Sequence, residues 1–330
     1  MYVRPEKMSS LTSQNVHDTC FHDSTIMRQC IGFLVKTLIR GGATLSSDAT
    51  TEPNIANEQV LRFESDGAVC LRQVIPMDWI EQLREGTQQA LAVPGPYHHI
   101  QSSKDDPGHF FTEYYLTRRL EIFARFVRES PLPGLAAQLL KSTNVRFFFD
   151  GLFVKEAATQ KRSQWHQDQP YYPIDGKQIV VFWTPLDPVN KQTCLEVVRA
   201  SHDWGKWFVP VLFRNNHGFE NNDPRYEAVP DMQTTSANYD YLSWDMQPGD
   251  CIAFHGLSLH GAAGNPGPKS RRALSTTWLG DDAVFAPRAS ELEPHFANLD
   301  YAAGEPLHDG SEFPLVWPRA DRQLEQGGHE

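Results

Sequence analysis

The sequence predicts a mainly β fold, an antiparallel sandwich or jelly roll with helical buttresses. Three observations carry that reading. Helical periodicity is confined to the stretch before residue 145, and short β-rich runs separated by Gly, Pro and Asn turns follow it. No internal repeat suggests an array. At 330 residues, 40% hydrophobic and 11% aromatic, the chain is long enough for one large domain with a real core.

Taken in order, residues 1–55 read as a loosely ordered N-terminal extension, polar at both ends around one amphipathic stretch from Ile26 to Ile39. Residues 56–317 are expected to form the main domain and 318–330 a polar tail. Asp66-Gly67 is a turn, and the apolar run through Leu71 reads as a strand. Pro76-Met77-Asp78 starts a helix that carries Trp79, Ile80 and Leu83 on one side. A second helix is expected over roughly Thr112 to Val127, where Leu116, Leu120, Phe123 and Phe126 recur at helical spacing, and a third around Leu135 to Leu140. Strands are expected at Val145–Val154, Ile179–Trp183, Leu195–Val198, Cys251–Phe254 and Ala273–Leu279. Trp204 to Trp244, rich in Asn, Asp, Pro and Tyr, breaks this rhythm; a loop of that length suggests a lid.

The net charge of −11 and a pI near 5.6 speak against a nucleic-acid binder, which would show a basic face. Five cysteines without C-x-x-C spacing speak against a disulfide scaffold or structural zinc, and for a reducing compartment. No apolar run approaches the ~20 residues of a membrane span. The N-terminus lacks the basic and apolar regions of a signal peptide, and Glu6, Asp18 and Asp23 weaken a mitochondrial presequence. A soluble, cytoplasmic protein is expected. Nothing in the sequence sets an oligomeric state.

Trp165-His166-Gln167-Asp168 is the first motif with chemistry in it. On a strand, residues two apart share a face, so an imidazole and a carboxylate stand side by side. Two histidines and one carboxylate make the facial triad of non-haem Fe(II) oxygenases, with open positions for co-substrate and oxygen. The second histidine comes from His255-Gly256-Leu257-Ser258-Leu259-His260, where either His255 or His260 serves. Arg271-Arg272 follows across a turn containing Asn265. A guanidinium in the same cavity suits the far carboxylate of a 2-oxo diacid, which it grips through two parallel hydrogen bonds.

Residues Trp165 to Pro173 (WHQDQPYYP) and His260 to Ser275 (HGAAGNPGPKSRRALS) resemble the phytanoyl-CoA dioxygenase family of Fe(II)/2-oxoglutarate enzymes. The resemblance runs from about Val60 to Phe285. It implies a double-stranded β-helix, a cupin-like jelly roll with helices packed on one sheet. It implies iron held by His166, Asp168 and His260, and 2-oxoglutarate held by an arginine eleven positions beyond the second histidine, which is Arg271. On that offset His255 and Arg272 take neighbouring structural roles. Lys155, on a strand leading toward His166, is a candidate for holding an anionic co-substrate, and Ser275 for a further hydrogen bond to the same carboxylate. The implied reaction consumes O2, releases succinate and CO2 and hydroxylates an unactivated C–H. The substrate is a small molecule or an acyl-CoA, for which Arg118, Arg119, Lys161 and Arg162 would supply a basic groove. Arg199-Ala200-Ser201-His202 departs from the family's Pro-Gly-Ser-His turn, and Cys194 stands where Gly is usual. Two other classes compete: a zinc hydrolase or isomerase on a cupin-like fold, and a non-catalytic small-molecule binding protein.

Overall fold

A computed structural model describes residues 54–213, 218, 223–232, 234, 236–288 and 299–319. The amphipathic stretch Ile26 to Ile39 lies outside the described residues, as do most of the N-terminal extension and nearly all of the polar tail.

The chain opens with helix α1 (Asn57–Asp66), which stops at Gly67 with φ +76, and continues into β1 (Ala68–Leu71). A side chain at Gly67 would also collide with His202 and Ser258, so glycine serves here for both conformation and close approach. Helix α2 (Met77–Ala92) starts behind Pro76, as the sequence predicts. Strands β2 (His98–Ile100) and β3 (Phe110–Tyr114) follow, then α3 (Glu121–Glu129) and α4 (Leu132–Leu140). The helix expected over Thr112 to Val127 is therefore corrected. Its first residues form a strand paired to β4 (Val145–Lys155), and only the part after Leu120 is α-helical. Phe110, Phe111 and Thr112 are all buried, a run without alternation that suits a strand covered on both faces.

Beyond residue 145 the strands are β5 (Ser163–His166), β6 (Ile174–Asp175), β7 (Ile179–Pro185), β8 (Leu195–Val198), β9 (Trp207–Phe208), β10 (Tyr226–Glu227), β11 (Tyr241–Leu242), β12 (Cys251–His255), β13 (His260–Ala262), β14 (Arg271–Leu279), β15 (Val284–Phe285) and β16 (Leu315–Trp317). The large sheet runs β1-β12-β7-β14-β4-β3-β2, with β16 also on β4, and every pairing in it is antiparallel. The small sheet runs β11-β8-β13-β5.

Two-residue alternation decides what each face meets. Along β7, Val180 and Phe182 join Ile80, Leu83, Phe123, Phe126 and Leu135 in a core between the large sheet and the helices. Val181 and Trp183 point the other way, into a second core shared with Leu195, Val197, Ile252 and Phe254 between the two sheets. Each fully buried Leu or Phe of these layers stabilises the fold by about 1.5–3 kcal/mol relative to exposure. The predicted mainly β jelly roll with packed helices is the observed architecture. Among the described residues no helix is long and apolar enough to cross a membrane.

In the turn that departs from the Pro-Gly pattern, Ala200 takes φ +57, a conformation that favours glycine, and Ser201 donates to the Val198 carbonyl and accepts from the Leu259 amide.

Candidate metal centre

The pocket lies between the two sheets. His166 is the last residue of β5 and His260 the first of β13, and the two are Cα partners across that antiparallel pair. Their rings stand 4.2 Å apart, centroid to centroid. Asp168 lies past the end of β5, in a helical conformation that opens a short 3-10 turn. The Asp168 and Gln169 amides both donate to the Gly256 carbonyl, which anchors that turn. The side-by-side placement expected of a strand is thus reached by a strand end and an anchored turn.

Three ligand atoms converge. The His166 Nε2 lies 3.3 Å and the His260 Nε2 3.6 Å from Asp168 Oδ1, and the candidate atoms all fall within 4.8 Å of one another. Cis ligands with bonds of about 2.1 Å stand about 3 Å apart, so the spacing fits a divalent ion. Each imidazole also has its other nitrogen occupied. His166 Nδ1 lies 2.7 Å from the Gln164 carbonyl and His260 Nδ1 2.9 Å from that of Ser258. A carbonyl can only accept, so Nδ1 carries the proton and Nε2 offers a lone pair inward. Burial and the adjacent His166 push the His260 pKa down to about 4. Burial opposes charge on Asp168, yet His260 and His166 together hold its carboxyl below the ordinary range. Neutral imidazoles and an ionised carboxylate are the protonation states a metal requires.

Arg271 begins β14 and shares a face with Ala273 and Ser275; all three line the pocket. Its guanidinium is buried and donates to the Thr193 carbonyl and, at 3.3 Å, to that of Ala263. No carboxylate among the described residues pairs with it, and burial lowers its pKa to about 10. A buried cation without an anion is costly, and an anionic ligand would offset that cost. Arg272 faces the opposite way and forms a bidentate pair with Asp187 at 2.6 and 2.9 Å. Asn265 ties the preceding turn down by donating to the carbonyls of Lys155, Glu156 and Lys269.

The other expected residues sort as follows. Ser275 lines the pocket. Lys155 is the cross-strand partner of Arg271, but its buried ammonium donates to Ala262 and Ala263 at 3.2 and 2.8 Å and sits over the Phe110 ring; it does not line the pocket. Burial and the neighbouring Arg271 push its pKa well below the lysine range. His255 is buried among satisfied partners, with Nε2 2.7 Å from the Lys177 carbonyl and Nδ1 accepting from the Leu257 amide. Trp183, part of the core between the sheets, also lines the pocket. Phe213, which sequence reasoning did not single out, lines it too, and a polar loop hides it.

A model of the phytanoyl-CoA dioxygenase (PhyH) family matches residues 63–273, well over half of the chain. The chain belongs to the phytanoyl-CoA dioxygenase family. Within the family it is 27% identical over 123 residues to a probable phytanoyl-CoA dioxygenase of Caenorhabditis elegans, a match covering 37% of each protein. The chain thus spans little more than a third of that relative. It is 24% identical over 245 residues to the dioxygenase olcK of Penicillium canescens, covering 70% of this chain and 72% of that one. Among solved structures, the epimerase SnoN, in complex with Fe3+, alpha ketoglutarate and nogalamycin RO, superposes with a TM-score of 0.62 at 18% identity. The superposition covers 78% of this PhyH-family chain and 97% of SnoN, and it shows the shared fold.

Proposed function

We propose that this PhyH-family protein is a non-haem Fe(II) dioxygenase that consumes 2-oxoglutarate and O2 and hydroxylates a C–H of a small molecule, with residues 56–317 as its catalytic domain. The observation that carries the reading is Arg271, a buried guanidinium with no carboxylate partner among the described residues, in the same pocket as the three converging ligands. A zinc hydrolase would need the ligands but not the guanidinium. Family membership and the Fe3+ and alpha ketoglutarate bound in SnoN support the same assignment.

His166, Asp168 and His260 would hold the iron, whose chemistry with 2-oxoglutarate is the reductive activation of O2 with release of succinate and CO2. Arg271 would take the far carboxylate of the co-substrate, with Ser275 beside it, and so fix its orientation. The Nδ1–H groups of His166 and His260 donate to their carbonyl partners, which keeps the proton on Nδ1 and leaves Nε2 unprotonated. Phe153, Trp183 and Phe254 wall the pocket and exclude water from the reacting atoms. The carboxylate of Asp168 occupies a position that related halogenases leave small to admit chloride, which favours hydroxylation.

Anaerobic titration of Fe(II) and 2-oxoglutarate tests the assignment through the weak visible charge-transfer band of the chelate. The band is expected in the wild type and lost in His166→Ala, Asp168→Ala and His260→Ala. A wild type that binds Zn(II) yet gives no band with Fe(II) and 2-oxoglutarate removes the oxygenase reading.

A further inference from the structure

The turn that carries the candidate ligands also holds a second segment across the pocket. Gln167, between His166 and Asp168, is buried and points away from both. Its Nε2 donates to the Lys206 and Leu257 carbonyls at 3.0 and 2.8 Å, and its Oε1 accepts from the Phe208 amide at 2.9 Å. Four residues on, the Tyr171 hydroxyl donates to the Val211 carbonyl at 2.8 Å and accepts from the Val211 amide at 2.7 Å. Both hydrogen-bonding groups of Val211 are thereby used, and the chain direction beyond it is set. The result is that Phe213 stands edge-on to His166, with ring centroids 4.7 Å apart at 76°, and lines the metal pocket. Neighbouring Leu212 is exposed and takes no part in the lining.

Phe153 also lines this chamber, backed by Tyr114 at 6.3 Å in an edge-to-face contact. Leu195 and Phe254 add further apolar surface, and among the described residues the charged side chains of the lining are Asp168 and Arg271. Both of those are committed under the oxygenase reading. Of the four basic residues that would make a groove for coenzyme A, the three arginines are already paired: Arg118 with Glu312 at 2.5 Å, Arg119 with Glu113 at 2.6 Å and Arg162 with Glu196 at 2.9 Å. With Arg271 committed to the co-substrate, a chamber with aromatic walls and no further charge rewards stacking and penalises a second anionic ligand.

We propose that Phe213, positioned by Gln167 and Tyr171, is the specificity-determining residue of this pocket, and that the substrate it selects is an uncharged ring compound packed against Phe213 and Phe153. The inference rests on the oxygenase reading for the role of the pocket. Tyr171 and Gln167 act through the segment they hold and are positioning residues.

The test uses the full chain loaded anaerobically with Fe(II) and 2-oxoglutarate. 2-Naphthol, 9-anthracenemethanol and palmitoyl-CoA are the probes, and isothermal titration calorimetry reads the Kd of each. Both ring compounds are expected to bind saturably, at least tenfold more tightly than the thioester. Loss of one aromatic partner in Phe213→Ala weakens them by about tenfold, and Tyr171→Phe, which leaves the ring but removes the clasp on Val211, by about threefold. Phe213→Leu, which keeps most of the bulk, falls between wild type and Phe213→Ala, and Leu212→Ala binds as wild type. Tighter binding of palmitoyl-CoA, no saturable binding of either ring compound, or a ring-compound Kd untouched by Phe213→Ala overturns the proposal. The charge-transfer band recorded on the same samples before titration separates the two readings. Its absence from the wild type removes the oxygenase, while the dependence of ring binding on Phe213 is judged by calorimetry alone.

Discussion

The inward and outward sides of the segment from His255 to Ser275 carry the same residue types in opposite conditions. Inward, His260 spends Nδ1 on a carbonyl and leaves Nε2 facing Asp168, and Arg271 is buried with no carboxylate partner among the described residues. Outward, His255 has both ring nitrogens engaged, and Arg272 is paired to Asp187 through two hydrogen bonds. All four side chains are at least half withdrawn from solvent, so burial alone does not separate them. Unused bonding capacity does. A saturated polar group holds the fold together, whereas an unsaturated one in a pocket is kept for a ligand.

Substitutions on the two sides should therefore fail in different currencies. The largest effect is expected for Asp168→Ala, which leaves two neutral imidazoles: Fe(II) affinity falls by more than about 100-fold, a greater loss than outer-shell partners cause. The thermal unfolding midpoint of the metal-free variant should shift little by comparison, because the contacts to His260 and His166 that favour the carboxylate are opposed by its burial. Metal titration and calorimetry read the two quantities, and unchanged metal affinity would break the comparison outright. Next comes Arg271→Ala, which should weaken 2-oxoglutarate binding by about 2–5 kcal/mol, roughly 30-fold or more, in an anaerobic binding titration.

On the outward side, His255 sharpens the contrast through pH. Burial pushes its pKa from 6.5 down to about 4. Between those values the unfolded chain takes up a proton that the folded chain refuses. Its contribution is therefore complete above pH 6.5 and lost as pH falls toward 4, by up to about 3 kcal/mol. Urea unfolding of wild type and His255→Gln at pH 7 and pH 4.5 should show the shallower pH dependence in the variant. Arg272→Ala is the smallest case. Its partly exposed pair with Asp187 is worth about 1 kcal/mol of stability or less, and the variant should bind 2-oxoglutarate as the wild type does. A 2-oxoglutarate defect in Arg272→Ala would mean that the two arginines had been assigned to the wrong sides.

Much of the site could be read from sequence because its parts sit at short, fixed separations. His166 and Asp168 are two apart, and His260, Asn265 and Arg271 fall on one strand–turn–strand unit. What stayed hidden depends on pairs remote in sequence. Nothing in the residues around Lys155 shows that its ammonium will be spent on the carbonyls of Ala262 and Ala263, more than a hundred positions away. The pairing of Arg119 with Glu113 is local but needs the strand β3 that helical spacing concealed. That Trp183 would line the pocket as well as the core was hidden because an entirely buried strand leaves both faces equally apolar. Phe213 gave no signal, since its place is set by Tyr171 and Gln167 rather than by its own neighbours.

The cross-strand pairing of His166 with His260 has a consequence of its own. The bite of this chelate is a dimension of the sheet, set by the spacing of adjacent strands at roughly 5 Å, and not a product of ion capture. Such a claw stands ready-made. On the proposed function, removal and reloading of the metal are therefore expected to leave the fold in place, unlike in small domains that fold only around their metal. A frame fixed in this way would accept one divalent ion in place of another, so that the chemistry of the proposed enzyme would follow the ion it is given.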